Sequence, residues 1–99
     1  GLYYNYTQTM ENKMTERKVW ALVARYSGEE TDVKLFHKRE DAIVCCVDYF
    51  EDGVYGRAEE KMREFNQQLD EGSFDIDVFE EFLFAQDIGY FSISLHVIY

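Results

Sequence analysis

Proline is absent from all 99 residues, and the chain holds only two cysteines, two histidines and one tryptophan. Cys45 and Cys46 are adjacent in a stretch of helical periodicity. Neighbouring helical side chains point about 100° apart, so the two thiols do not bridge each other. Both are expected to be reduced and partly buried. A metal or redox centre needs further ligands at set spacings, and neither His37 nor His96 stands at one, so no metal and no cofactor are expected. No apolar run approaches the ~18–20 residues that span a bilayer. The N-terminal stretch lacks the basic and apolar regions of a secretory signal, which makes the cytoplasm the expected compartment. Phosphate-loop, HExxH, GxSxG and CxxC motifs are all missing, so catalysis has no recognisable carrier and the chain is expected not to be an enzyme.

What the chain has is acid. Twenty Asp and Glu face ten Lys and Arg, for a formal net charge of −10. Direct nucleic-acid binding is disfavoured, because phosphates would be repelled. The excess is also local. Residues 1–47 hold seven acids and seven bases, and residues 88–99 hold neither. Residues 48–87 hold thirteen acids against Arg57, Lys61 and Arg63, so the whole imbalance lies there. Hydrophobic residues at 46% are enough for a packed core, and aromatics at 17% give large buried area per residue.

One domain is expected over 18–99, preceded by an arm over 1–17 that carries Leu2, Tyr3, Tyr4 and Tyr6. Gly1 is not an initiator, and Met14 offers an internal start. Lys18–Tyr26 is apolar on both faces, with Trp20, Leu22, Ala24 and Tyr26 on one and Val19, Ala21 and Val23 on the other. That pattern fits a central strand. A turn at 27–30 leads to a second strand, Thr31–Phe36. A first helix is predicted over Lys38–Glu51, with Ile43, Val47 and Phe50, together with Ala42, Cys46 and Tyr49, as its apolar stripe and Gly53 as its stop. A second runs over Arg57–Asp70 on a seam of Ala58, Met62, Phe65 and Leu69 and ends at Gly72. A third covers Ile76–Gln86, capped by Asp75 and stapled by Phe74 against Phe79, with Phe79, Phe82, Leu83 and Val78 inward and Gly89 as its end. Tyr90–Tyr99 alternates strictly, with Phe91, Ile93, Leu95, Val97 and Tyr99 on one face.

The order β-β-α-α-α-β predicts an α+β fold: a three-stranded antiparallel sheet of order 2-1-3 with its helices on one face. The other face is only half polar, so the arm or a second subunit is expected to cover it, and homodimerisation is one expected role.

Two clusters bear on chemistry. Ser94 and His96 share a strand face at period two and are neighbours, but a Ser-His couple also needs an orienting carboxylate and an oxyanion hole. Asp70, Glu71, Asp75, Asp77, Glu80 and Glu81 fall within twelve residues without the ligand order of a calcium loop.

Phe36, Glu40, Asp41 and Ala42 form an F-x-x-x-E-D-A entry to a helix, and the acidic block runs into Gly-Tyr-Phe-Ser-Ile-Ser at 89–94. In size, acidity and element order the chain resembles small phage or mobile-element proteins, some of them anti-restriction or anti-CRISPR inhibitors. The resemblance implies a protein that occupies a basic nucleic-acid channel on its partner, in the cytoplasm of a host. From the charge itself, the expected binding residues are Glu59, Glu60, Glu64, Asp70, Glu71, Glu80 and Glu81, and the expected partner is a basic protein surface, such as that of a nucleic-acid-binding protein.

Overall fold

The computed structural model describes residues 17–54 and 58–98. The arm, apart from Arg17, lies outside the described residues, as do the start of the predicted second helix at Arg57 and the last residue, Tyr99. Three strands, β1 (Arg17–Tyr26), β2 (Asp32–Phe36) and β3 (Gly89–Ile98), form one antiparallel sheet in the order β2-β1-β3. Three helices, α1 (Arg39–Glu51), α2 (Glu59–Glu71) and α3 (Ile76–Ala85), lie between β2 and β3 in sequence. The α+β architecture and the strand order are those expected from the sequence.

β1 is central because both its faces can be buried. Leu22 and Ala24 enter the core under the helices, while Ala21 is buried on the opposite face. The turn to β2 uses Gly28 at φ +81°, a left-handed conformation that glycine adopts without a side-chain clash. Pairing of β1 with β3 runs without interruption from Arg17 opposite Ile98 to Tyr26 opposite Gly89.

The helices present the expected stripes. α1 buries Ala42, Ile43, Cys46, Val47 and Phe50, and α2 buries Met62 and Phe65. Asp75 caps α3, its carboxylate accepting from the backbone N–H of Asp77 at 2.9 Å. The Phe74–Phe79 staple forms, with ring centroids 5.7 Å apart. Gly72 closes α2 in a left-handed conformation, φ +77°.

Four local expectations change. Val78 is 45% exposed rather than inward; it sits about 100° around the helix from Phe79, beyond the face that the core covers. Lys38, the first residue of the predicted helix, is instead the N-cap of α1, and it makes no side-chain cap bond. Gly53 does not stop α1. The helix ends at Glu51 with Asp52 as its cap, and Gly53 lies in a 3-10 turn where an added Cβ would stand 2.9 Å from Tyr26 Cδ1. Gly89 does not end α3 either. Gln86 caps that helix, Asp87 takes the left-handed position at φ +53°, and Gly89 opens β3.

The core is an aromatic cluster. Phe50, Phe65 and Phe79 are fully buried. Phe79 stands 5.0 Å from Phe65 and 6.0 Å from Phe91 between ring centroids, so α3 is tied at once to α2 and to β3.

Candidate functional site

The seven acids chosen from the sequence are all exposed, five on α2 and two on α3. On α2 the buried Met62 and Phe65 fix the inner face. At 100° per residue, Glu60, Glu64 and Glu71, spaced by four and seven, then fall in one outward line. Glu59 and Asp70 flank it on one side. Lys61 lies on the other, its Nζ 2.8 Å from Glu64 Oε1. α3 packs on α2 through Phe65 against Phe79 and Phe82. Glu81 is outward there, and Glu80 lies about 100° around the helix from it, both exposed. The acids thus make one row on α2 and a separate group on α3.

Phe84 is 74% exposed on α3. Glu80 and Glu81 lie four and three positions before it, on the adjacent turn of the same surface. Sequence reasoning did not single it out. The inward set Phe79, Phe82 and Leu83 already leaves Phe84 off the inner face, about 140° around the helix from Phe79, and the structure adds that no other element covers it, at 74% exposure.

The opposite sheet face has the reverse character. By strand alternation it carries Arg17, Val19, Ala21, Val23 and Arg25 of β1, Val33 and Leu35 of β2, and Tyr90, Ser92, Ser94, His96 and Ile98 of β3. Among the described residues no Asp or Glu falls on it. Ser94 Oγ and His96 Nε2 are 2.9 Å apart, as neighbours at period two should be. A Ser-His couple works as a triad only with a carboxylate that orients the imidazole, and none of the described strand residues on that face is Asp or Glu.

Cys46 is buried in the core and Cys45 half-buried, both as free thiols. Burial chiefly, then the neighbouring Cys45 and Glu80, pushes the Cys46 thiol far up. A protonated thiol in an acidic setting is a poor nucleophile. Among the described residues no three or more His, Cys, Asp or Glu side chains converge as a metal site. A cleft of about 250 Å³ between the end of α1 and α2 is lined by Glu51, Asp52, Glu59 and Arg63 together with Val54, Met62 and Asn66, with no Ser, Thr, Cys, His or Lys among them. No helix among the described residues is long and apolar enough to cross a membrane.

One polar chain links sheet and helix. Tyr26 donates its hydroxyl proton to the Tyr49 carbonyl, and Tyr49 donates to Asp32 Oδ2 at 2.9 Å. The two rings stack with centroids 5.0 Å apart. Desolvation, then the Asp32 carboxylate, pushes the Tyr49 hydroxyl up to about 12. Between pH 10 and about 12 the unfolded chain ionises Tyr49 while the folded chain keeps it neutral. Its contribution is therefore complete below pH 10 and lost as pH rises through that window. Tyr26 and Cys46 are raised too and add to the same alkaline loss. Thermal melts at stepped pH should show a shallower fall above pH 10 in Tyr49→Phe than in the parent. Identical slopes would remove Tyr49 as a source.

Comparison of the chain with protein-family models, with curated proteins and with solved structures returns no match. The functional reading therefore rests on the chain's own geometry.

Proposed function

We infer that the protein is a non-enzymatic binding module whose helical layer docks on a basic surface of another protein, of the kind that ordinarily holds nucleic acid. The observation that carries this reading is Phe84. An acidic layer kept only for solubility gains nothing from a bare phenylalanine, whereas binding hot spots are aromatic anchors ringed by polar contacts. Phe84 stands beside Glu80 and Glu81 with three-quarters of its surface exposed.

The spacing of charge supports the nucleic-acid comparison. α2 carries five carboxylates along thirteen residues, about one per 4 Å of helix axis, close to the ~3.4 Å per phosphate along one DNA strand. Lys61 and Arg63 thin the net value to about one charge per 6–7 Å. The helix therefore presents a weaker version of one strand rather than of a duplex. A groove lined with Lys or Arg would be drawn to it electrostatically, and Phe84 would supply the contact that holds it.

Two variants separate these contributions. Reversing Glu60, Glu64, Glu71 and Glu81 to Lys changes the formal net charge from −10 to −2. It should abolish capture of the partner in pull-downs at low salt, with the melting temperature nearly unchanged because all four side chains are exposed. Phe84→Ala should leave the salt dependence alone and weaken binding roughly tenfold or more, mainly through faster dissociation. Capture that survives the fourfold reversal with the parent's salt dependence would sink the proposal.

A further inference from the structure

The two edges of the sheet differ in how they are protected. β2 is a five-residue edge carrying Asp32 and Lys34. Short length and charge are the usual means by which an edge strand is kept from pairing with another chain. β3 has neither. It is ten residues long, contains no Asp, Glu, Lys, Arg or Pro, and its register with β1 shows no bulge. No described strand pairs with its outer side.

The direction of its free groups can be worked out. Ser27 N–H donates to the Ile88 carbonyl at 2.9 Å, one step beyond the Tyr26–Gly89 pair. Bonded pairs alternate along an antiparallel ladder. Tyr90, Ser92, Ser94 and His96 therefore bond inward to β1. Phe91, Ile93, Leu95 and Val97 turn their N–H and C=O groups outward.

The helices cover only half of this strand. Phe91 packs on Phe79 of α3 and Phe50 of α1, and Ile93 packs against the core. Leu95 and Val97, on the same face, are 44% and 39% exposed. Tyr90 and Ile98 are exposed on the other face.

We propose that β3 pairs edge to edge with β3 of a second copy of this chain, antiparallel about a two-fold axis at Ser94, giving a six-stranded sheet. This register places Ile93 opposite Leu95, Phe91 opposite Val97 and Tyr90 opposite Ile98, so every exposed apolar side chain of the strand meets an apolar one. Centres at Ile93 or Leu95 do not achieve this, since they set Tyr90 against His96 or Ser92 against Ile98. The outward groups of four residues on each copy make about eight hydrogen bonds. Each copy's helix-covered half lies beside the other's bare half, so the two α3 helices are offset by about 20 Å along the strands. At physiological salt that is more than two Debye lengths, which leaves little repulsion between their carboxylates. The uncharged edge is thus a place where two copies of a strongly acidic protein can meet. The inference is independent of the role assigned to Phe84 and the acids.

The full chain is tested by sedimentation over a dilution series, with four variants and a truncation. Parent protein should be a concentration-dependent dimer. Ser94→Cys places two thiols across a non-hydrogen-bonded pair, with Cα atoms about 4.5 Å apart, within disulfide reach. It should give a covalent dimer on a non-reducing gel, and Ser92→Cys, set opposite His96, should not. Leu95→Lys with Val97→Lys should yield a monomer that melts like the parent's folded subunit. Val33→Lys with Leu35→Lys, on the open sheet face, should leave the dimer intact. A parent that stays monomeric throughout overturns the proposal. So does a dimer that dissolves with the Val33/Leu35 variant but not with the Leu95/Val97 variant, which would place the contact on the sheet face. A monomeric full chain that dimerises only after removal of residues 1–16 would instead assign the edge to the arm.

Discussion

Phe79→Ala is expected to remove about 4 kcal/mol of folding free energy, the cost of emptying a fully buried phenylalanine site. Phe79 has no exposed surface and lies among Phe50, Phe65, Phe74 and Phe91, at centroid distances of 5.0–6.4 Å. These rings come from α1, α2, the α2–α3 connection and β3, so no single element can relax to fill the space. A domain of this size commonly has about 5–15 kcal/mol in total. The loss should lower the melting temperature by roughly 15–30 °C, or leave the chain partly unfolded at room temperature. Phe84→Ala is the matched control. It changes the same residue type in the same helix at a position three-quarters exposed, and should shift stability by no more than about 0.5 kcal/mol. Urea titration followed by circular dichroism compares the two. Similar midpoints for both would mean that α3 does not dock as described.

Much of this fold is visible in residue order. The two-sided apolarity of Lys18–Tyr26 identifies the central strand, and a central first strand with alternating directions permits only the order 2-1-3. Asp75 between Phe74 and Ile76 marks a helix start, since cap and staple are local chemistry that tertiary context rarely overrides. The location of the charge is equally plain, and the spacing of Glu60, Glu64 and Glu71 already puts them on one line. What residue order does not contain is which half of a strand a helix will cover. Leu95 and Val97 continue the alternation of Phe91 and Ile93 without a change of character, yet they lie beyond the reach of α1 and α3. Phe84 is hidden for a related reason. The spacing of Phe79, Phe82 and Leu83 sets the inner face of α3 and leaves Phe84 off it, but whether a neighbouring element covers Phe84 from the side depends on where α2 and β3 pack. The Tyr26–Tyr49–Asp32 chain joins residues far apart in sequence and has no periodic signal.

The charge and the sheet together suggest a division of labour. The acidic excess lies on the helical layer, the described strand residues of the open sheet face include no Asp or Glu, and β3 contains no Asp, Glu, Lys or Arg. If the helical layer meets a basic partner and β3 meets its own copy, the two contacts fall on different sides of the molecule and need not compete. Pairing through β3 would set two acidic layers on the same side of one continuous sheet. A partner with two basic sites would then be held bivalently, and the loss of affinity on adding Lys at 95 and 97 would measure that gain.

Gly89→Ala should cost about 3 kcal/mol, at the upper end for one added methyl group in a packed site. The residue looks like a helix stop in the sequence, but its backbone does not take a left-handed conformation; Asp87 does that. Gly89 is required instead by close approach. A Cβ there would overlap the Arg25 carbonyl oxygen and stand 2.6 Å from Phe50 Cε1. The carbonyl is main chain in the central strand and cannot swing aside, and Phe50 is fully buried. The start of β3 must then move off β1, loosening the Tyr26–Gly89 pair and the ring contact between Phe50 and Phe91. Gly72→Ala offers the opposite case. Its φ of +77° disfavours a side chain, but nothing lies within 4 Å of the added atom. Only backbone strain of about 1 kcal/mol is then expected. Thermal unfolding of both variants should place Gly89→Ala well below Gly72→Ala. The reverse order would mean that β3 enters the sheet with more room than the packing of Arg25 and Phe50 allows.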